Sequence, residues 1–184
     1  MVPHALERSH MRGELIAIDL ETTGLDVETD RIIEVGAVLM KEGEILEEYS
    51  TFVNPHAKIP EFTTLITGIT QEDVKDAPPI ADVLPRLLAF VGDRPIVAHN
   101  VSFDIKFMHK HGVFTSNTPL DTYELASVML PRAPRYNLHS LTQNAGIELE
   151  EAHRALDDAR AAGLLYWKLY EQALALPIET LQDI

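Results

Sequence analysis

The stretch LIAIDLETTG, residues 15–24, decides the fold. Residues 15–18 form a short apolar run of strand-forming side chains, and Gly24 supplies the turn after the acidic end of this run. A second apolar run covers residues 32–40, and residues 45–53 predict a third strand after a Lys-Glu-Gly turn. Because the links between these strands are short, the sequence predicts an antiparallel meander.

The rest of the chain has mainly helical spacing. Residues 80–91 have the apolar repeat of an amphipathic helix, and residues 95–98 predict a brief buried strand. Ser102 is the predicted N-cap of a helix that ends at Gly112. Further helices are predicted at residues 122–130, 138–144 and 154–176. This order of elements predicts an α/β fold in which helices flank a mixed sheet.

The length and composition indicate one globular domain. The chain has 184 residues, of which 46% are hydrophobic, and this is enough to bury a core. We expect residues 1–12 to be a disordered leader and residues 13–176 to form a single domain. We expect residues 177–184 to be a tail that links to a further domain.

The charge balance excludes one class of protein. The formal net charge is −14, so the chain lacks the broad basic face of a general nucleic-acid coating protein. An acidic protein can still act on an anion when its carboxylates hold divalent cations, because the bound cations invert the local charge.

The sequence has no membrane or disulfide signals. It contains no cysteine, its longest apolar run is residues 87–91, and a membrane span needs about 18 apolar residues. Residues 1–12 lack the apolar centre of a secretory signal. We therefore predict a cytoplasmic protein without a membrane partner.

Two carboxylates close the first predicted strand. Asp19 and Glu21 are two positions apart, so their side chains project from the same face of a strand. Their charges repel unless a cation lies between them, and such hard oxygen ligands suit Mg²⁺, Mn²⁺ or Ca²⁺. Taken alone, the pair is more typical of a solvated strand end.

Other acidic residues and one histidine have ordinary explanations when each is taken separately. Asp104 follows a predicted strand and lies in the first turn of a helix, where an acid complements the helix dipole. Asp157 and Asp158 lie near the start of the last helix, just after His153. A lone histidine at such a position is most often a surface residue.

Together, three motifs resemble a known family. The segments DLETTG at 19–24, HNVSFD at 99–104 and HRALDDA at 153–159 resemble the motifs of the DEDDh, or DnaQ-like, 3′-5′ exonucleases. The resemblance covers about residues 13–172. It implies a ribonuclease H-like fold with a five-stranded mixed sheet, the first three strands antiparallel, and a site at the end of the first strand.

The resemblance also implies a site and a reaction. Four acids match the family's metal-binding positions for two divalent cations, Mg²⁺ or Mn²⁺, and these are Asp19, Glu21, Asp104 and Asp158. His153 matches the general base. The implied reaction is two-metal hydrolysis at the 3′ end of single-stranded DNA or RNA, which releases 5′-mononucleotides.

Substrate contacts are implied in the same way, at Leu20, Thr22, Thr23, Thr67, Asn100 and Phe103. Residues 65–70 resemble a family loop near the 3′ end of the substrate. Proofreading subunits more often have histidine where this chain has Thr67. The sequence therefore favours an exonuclease domain attached to a polymerase or helicase. A stand-alone enzyme remains an alternative, and the sequence does not decide between DNA and RNA as the substrate.

Two alternatives remain at this point. The first concerns which aspartate binds the metal. A helical period alone favours Asp157, which would lie beside His153 on the helix. The resemblance favours Asp158, and this requires that His153 lie in a loop before the helix. We predict Asp158. The alternative functions are a catalytically silent docking module and a plain divalent-ion binding module, but the motif set is complete and EF-hand spacing is absent.

Overall fold

A computed structural model describes residues 13–147 and 153–176, so the predicted leader and tail lie outside the described residues. The described chain contains a five-stranded sheet with the order β3-β2-β1-β4-β5. The strands are β1 Glu14–Thr22, β2 Ile32–Lys41, β3 Glu44–Phe52, β4 Ile96–Ala98 and β5 Pro119–Asp121.

The direction of the strands brings several strand ends together. The pairs β1–β2 and β2–β3 are antiparallel, which confirms the predicted meander. The pairs β1–β4 and β4–β5 are parallel. The carboxyl ends of β1, β4 and β5 therefore lie at one edge of the sheet, where open α/β folds place their ligands.

Helices cover both faces of this sheet. Their bounds are α1 Glu61–Thr67, α2 Gln71–Val74, α3 Ile80–Val91, α4 Ser102–His109, α5 Thr122–Met129, α6 Leu138–Ala145 and α7 Ala155–Leu174. Alternate residues of β1 are buried on opposite faces, Ile16 against α3 and α4 and Ala17 against α7. Because β1 is covered on both sides, its apolar run is continuous.

Helix α7 packs unusually close to the sheet. A Cβ atom at Gly36 of β2 would overlap the backbone of Ala155, and a Cβ at Gly163 would overlap the side chain of Met40. Ala159 and Ala162 are also buried in this helix. Small residues on both partners therefore allow the N-terminal turn of α7 to lie directly on β2.

Two details differ from the sequence predictions. The segment predicted as a substrate loop begins in the last turn of α1, which Gly68 ends with a left-handed conformation. The residue before α4 is Val101 rather than Ser102, and it has no side-chain cap. Instead, the Asp121 carboxylate accepts hydrogen bonds from the Asn100 and Val101 amides, each at 3.0 Å.

Candidate active site

The site begins at the carboxyl end of β1. Asp19 and Glu21 project from the face of the sheet that α7 covers, and both are partly buried. In the ladder with β2, Asp19 is opposite Gly36 and Glu21 is opposite Glu34. The predicted carboxylate pair is therefore formed, and it lies beneath the N-terminal turn of α7.

Asp104 reaches the same place from α4. Its side chain is buried, and its Oδ1 accepts a hydrogen bond from the Leu20 amide at 3.1 Å. Leu20 lies between Asp19 and Glu21, so this bond fixes the third carboxylate beside the first two. The strand-to-helix junction after β4 thus places Asp104 at the sheet edge.

His153 lies in a turn before α7, with φ +65°. Its amide donates a hydrogen bond to Asp158 Oδ2 at 2.9 Å. The adjacent Asp157 instead accepts from Arg160 Nη1 at 2.5 Å, and Arg160 also binds Glu48 of β3. His153 therefore lies in a loop before the helix, as the choice of Asp158 over Asp157 requires. Asp158, not Asp157, contacts His153.

Three of these side chains converge on one point. Ligand atoms of Glu21, His153 and Asp158 all lie within 4.8 Å of one another. Carboxylate oxygens and an imidazole nitrogen are suitable donors for a divalent cation such as Mn²⁺. The donor set therefore fits the metal dependence that the sequence predicts.

The cluster is electrostatically strained without a cation. Burial raises the pKa of Asp104 to about 8. Burial, followed by the neighbouring charges of Asp158 and Glu34, raises the pKa of Glu21 to about 8. Burial and then the nearby acids also raise the pKa of Asp19 well above its usual value. A bound cation would reverse these shifts because it stabilises the ionised carboxylates.

Three threonines predicted to contact substrate have hydroxyls that are already used in local structure. Thr22 donates to the Gly24 carbonyl at 2.6 Å, and Thr23 donates to Asp30 at 2.9 Å. Thr67 donates to the Thr63 carbonyl at 3.0 Å. All three threonine side chains are buried, so their hydroxyls stabilise the turn after β1 and the end of α1.

The other predicted contacts have different settings. Leu20 is buried in the core, and its amide is bonded to Asp104. Asn100 is exposed with φ +63°, and Phe103 is partly buried with its ring 5.0 Å from that of Phe107. Only Asn100 among these three has an exposed side chain next to the sheet edge.

Sequence reasoning missed a buried ion pair beside the site. Glu34 of β2 accepts from Arg154 Nη2 at 2.8 Å and from the Ala155 amide at 3.1 Å. The signal was present in the sequence, because a glutamate inside the apolar run IIEVGAV has to find a partner when that strand is buried. The partner follows His153 directly in the chain.

A cavity of about 570 Å³ lies next to this ion pair. Its lining residues are Phe52, Leu65, Ile66, Thr67, Gly68, Ile69, Asp73 and Arg154. Arg154 follows His153 in the chain, so this cavity lies next to the candidate site.

Comparison with known proteins agrees with this geometry. A model of the RNase_T family, described as exonuclease, matches residues 16–166. The chain belongs to this exonuclease family. The ribonuclease H-like fold and the exonuclease class predicted from the three motifs are confirmed.

Curated relatives of this exonuclease are much longer proteins. The DNA polymerase III PolC-type of Caldanaerobacter subterraneus is 39% identical over 178 residues, which are 95% of this chain and 13% of the relative. The corresponding polymerase of Oceanobacillus iheyensis is 40% identical over 171 residues, 90% of this chain and 12% of the relative. The exonuclease thus spans about an eighth of these relatives.

A solved structure of similar size is exonuclease X in complex with 5′-overhanging duplex DNA. It is 27% identical, with a TM-score of 0.73, and the match covers 92% of this exonuclease and 98% of the other chain.

Within residues 13–147 and 153–176, every helix is too short or too polar to cross a membrane.

Proposed function

We propose that this exonuclease removes 5′-mononucleotides from the 3′ end of single-stranded DNA, with the help of two divalent cations, Mg²⁺ or Mn²⁺. The observation that carries the proposal is the convergence of Glu21, His153 and Asp158 within 4.8 Å of one another. Asp19 and Asp104 adjoin this group, so one small region holds the full acid and base set.

The four acids are the proposed cation ligands. Asp19 and Glu21 approach from β1, Asp104 from α4 and Asp158 from α7, so the ligands surround the sheet edge from three elements. When bound, the cations would stabilise negative charge on the attacking and leaving oxygens of the phosphodiester. The chain has a net charge of −14, so the cations would also offset its repulsion of the anionic substrate.

His153 is the proposed general base. Its side chain is exposed and its amide is bonded to Asp158, so the ring lies at the open side of the acidic cluster. A neutral imidazole can accept a proton from the attacking water. The exposed position also allows the proton to pass to solvent afterwards.

The cavity beside Arg154 is the proposed place for the end of the strand. Leu65 and Ile66 line it with exposed apolar side chains, and Phe52 adds an aromatic ring. Apolar and aromatic surfaces accept any base by stacking, which suits an enzyme that degrades a strand without regard to sequence. Thr67 contributes its backbone and methyl group, because its hydroxyl is bonded to Thr63.

The proposed setting is a DNA polymerase. The relatives named PolC-type polymerases contain a matching segment that is only about an eighth of their length. We therefore propose DNA rather than RNA as the main substrate and a polymerase rather than a helicase as the partner. Residues 177–184 are the proposed connection to such a partner.

The test uses single-stranded DNA and RNA oligonucleotides of the same sequence, each labelled at the 5′ end. With Mn²⁺ we expect a ladder of DNA products that shorten from the 3′ end, and EDTA should abolish it. Asp19→Asn is the control for contaminating nuclease. More than about a tenth of the normal kcat in this variant, or faster cleavage of RNA than DNA, would contradict the proposal.

A further inference from the structure

Glu34 is an acidic residue in the middle of a buried strand. Only 2% of it is exposed, although it lies in β2 between the apolar residues Ile33 and Val35. It is directly opposite Glu21 in the ladder. A carboxylate at this position adds repulsion to a cluster that already contains four acids.

The Glu34 carboxylate is not open to a cation. Oε1 accepts from Arg154 Nη2 at 2.8 Å, and Oε2 accepts from the Ala155 amide at 3.1 Å and from Arg154 Nε at 3.4 Å. The guanidinium of Arg154 lies over the ring of Phe52, 5.4 Å from its centre. Both oxygens are therefore used to hold the chain just after His153.

This contact fixes two consecutive residues. Arg154 is the residue before α7, and Ala155 is the first residue of that helix, so the Ala155 amide has no partner within α7. Glu34 supplies that partner from the neighbouring strand. The close approach of Ala155 to Gly36, two residues farther along β2, fixes the same turn at a second point.

From these contacts we propose that Glu34 is a positioning residue, which holds His153 and Asp158 in register with Glu21 by fixing residues 154 and 155 to β2. The inference rests on the role of His153 given under the proposed function. His153 adopts φ +65°, a left-handed conformation that is unfavourable for a non-glycine residue. The Glu34 anchor on the following residues is what keeps the chain in this conformation.

The test is Glu34→Gln, which keeps the shape of the side chain and removes its charge. Groups that orient a catalytic group typically contribute 10–100-fold, so we expect kcat to fall by about that factor while KM changes little. The matched control is Glu48→Gln, because Glu48 also binds an arginine of α7, but that arginine is Arg160 and not Arg154 beside His153. We expect normal kcat in the control.

A double-mutant cycle separates positioning from general weakening. If Glu34 acts through His153, then His153→Ala should lower kcat by a much smaller factor in the Glu34→Gln background than in the normal protein. Arg154→Lys is the second variant, since lysine keeps the charge but cannot form the two-nitrogen contact. This variant should also lower kcat. It tests the inference if Glu34→Gln does not fold.

Three results would overturn the inference. They are a normal kcat in both Glu34→Gln and Arg154→Lys, an equal loss in the Glu48→Gln control, or full additivity of Glu34→Gln with His153→Ala. Failure of the proposed function has a different signature, because His153→Ala would then leave kcat unchanged in the normal protein. In that case Glu34 has no base to position, and the inference fails with it.

Discussion

The carboxylate of Asp104 is joined to the amide of Leu20 by a hydrogen bond of 3.1 Å, which connects α4 to β1 at the centre of the acidic cluster. Burial of the carboxylate raises the pKa of Asp104 to about 8, although the hydrogen bond from the Leu20 amide acts to lower it. The buried position of Asp104 thus brings it into the site and makes the metal-free site less stable at high pH.

The metal-free protein should lose stability as the pH rises. Asp104 and Glu21 have folded-state pKa values of about 8, against about 4 when unfolded. Between these values unfolding releases protons, so the free energy of unfolding should fall from about pH 4 to about pH 8 and then level off. Thermal melts in EDTA across this range measure the slope.

Asp104→Asn serves as the control for that slope. It removes one titrating carboxylate, so its melting temperature at pH 8 in EDTA should exceed that of the normal protein by roughly 2–8 °C. Saturating Mn²⁺ should raise the melting temperature of the normal protein most at high pH. A stability that does not change with pH in EDTA would show that these acids are not raised in pKa.

Asp157→Ala and Asp158→Ala should differ sharply. Asp158 contacts His153, whereas Asp157 is bonded to Arg160. Loss of a metal ligand should lower kcat with Mn²⁺ by roughly 10²-fold or more in Asp158→Ala. Asp157→Ala should stay near normal. The opposite pattern would mean that α7 binds the cation through Asp157.

His153→Ala should lower kcat by about 10²–10⁴-fold, the usual contribution of a general base. Mn²⁺ binding, measured by calorimetry, should persist, because carboxylates provide the proposed ligands. The ring nitrogen also lies within 4.8 Å of ligand atoms of Glu21 and Asp158. A loss of Mn²⁺ affinity would therefore make His153 a metal ligand and exclude it as the base.

Gly36→Ala should affect both stability and activity. The added methyl group would overlap the backbone of Ala155 and displace the start of α7, at a cost of about 1–3 kcal/mol in the free energy of unfolding. The kcat should also fall at temperatures where the variant is still folded, because His153 and Asp158 move with this turn. Ser50→Ala, opposite Gly36 on β3, is the control and should be nearly neutral. Equal behaviour of the two variants would contradict the close approach.

The sequence predicted the elements that have strong patterns. The apolar runs at residues 15–18 and 32–40 became the central strands, and the helical repeat at residues 80–91 became α3. The DLETTG, HNVSFD and HRALDDA motifs also located the acids and the histidine, because each acid lies at the end of an element where its backbone direction is fixed.

Other features have weak local signals. Strand β5 is three residues long, begins with Pro119 and is only partly buried, so no periodicity marks it. Helix α1 exposes Phe62 and Leu65, so its apolar residues do not follow a buried face. The Glu34–Arg154 ion pair joins residues that are far apart in sequence, and only the docking of α7 on β2 brings them together.

The docking of α7 on Gly36 also sets the order in which the enzyme can become active during synthesis. Among these elements β1 leaves the ribosome first with Asp19 and Glu21, and residues 153–158 follow only after all five strands have been made. The newborn chain therefore carries three of the four proposed ligand acids, Asp19, Glu21 and Asp104, before Asp158 is made. In the proposed mechanism, cleavage of nucleic acid has to wait until α7 has been translated and has packed against β2.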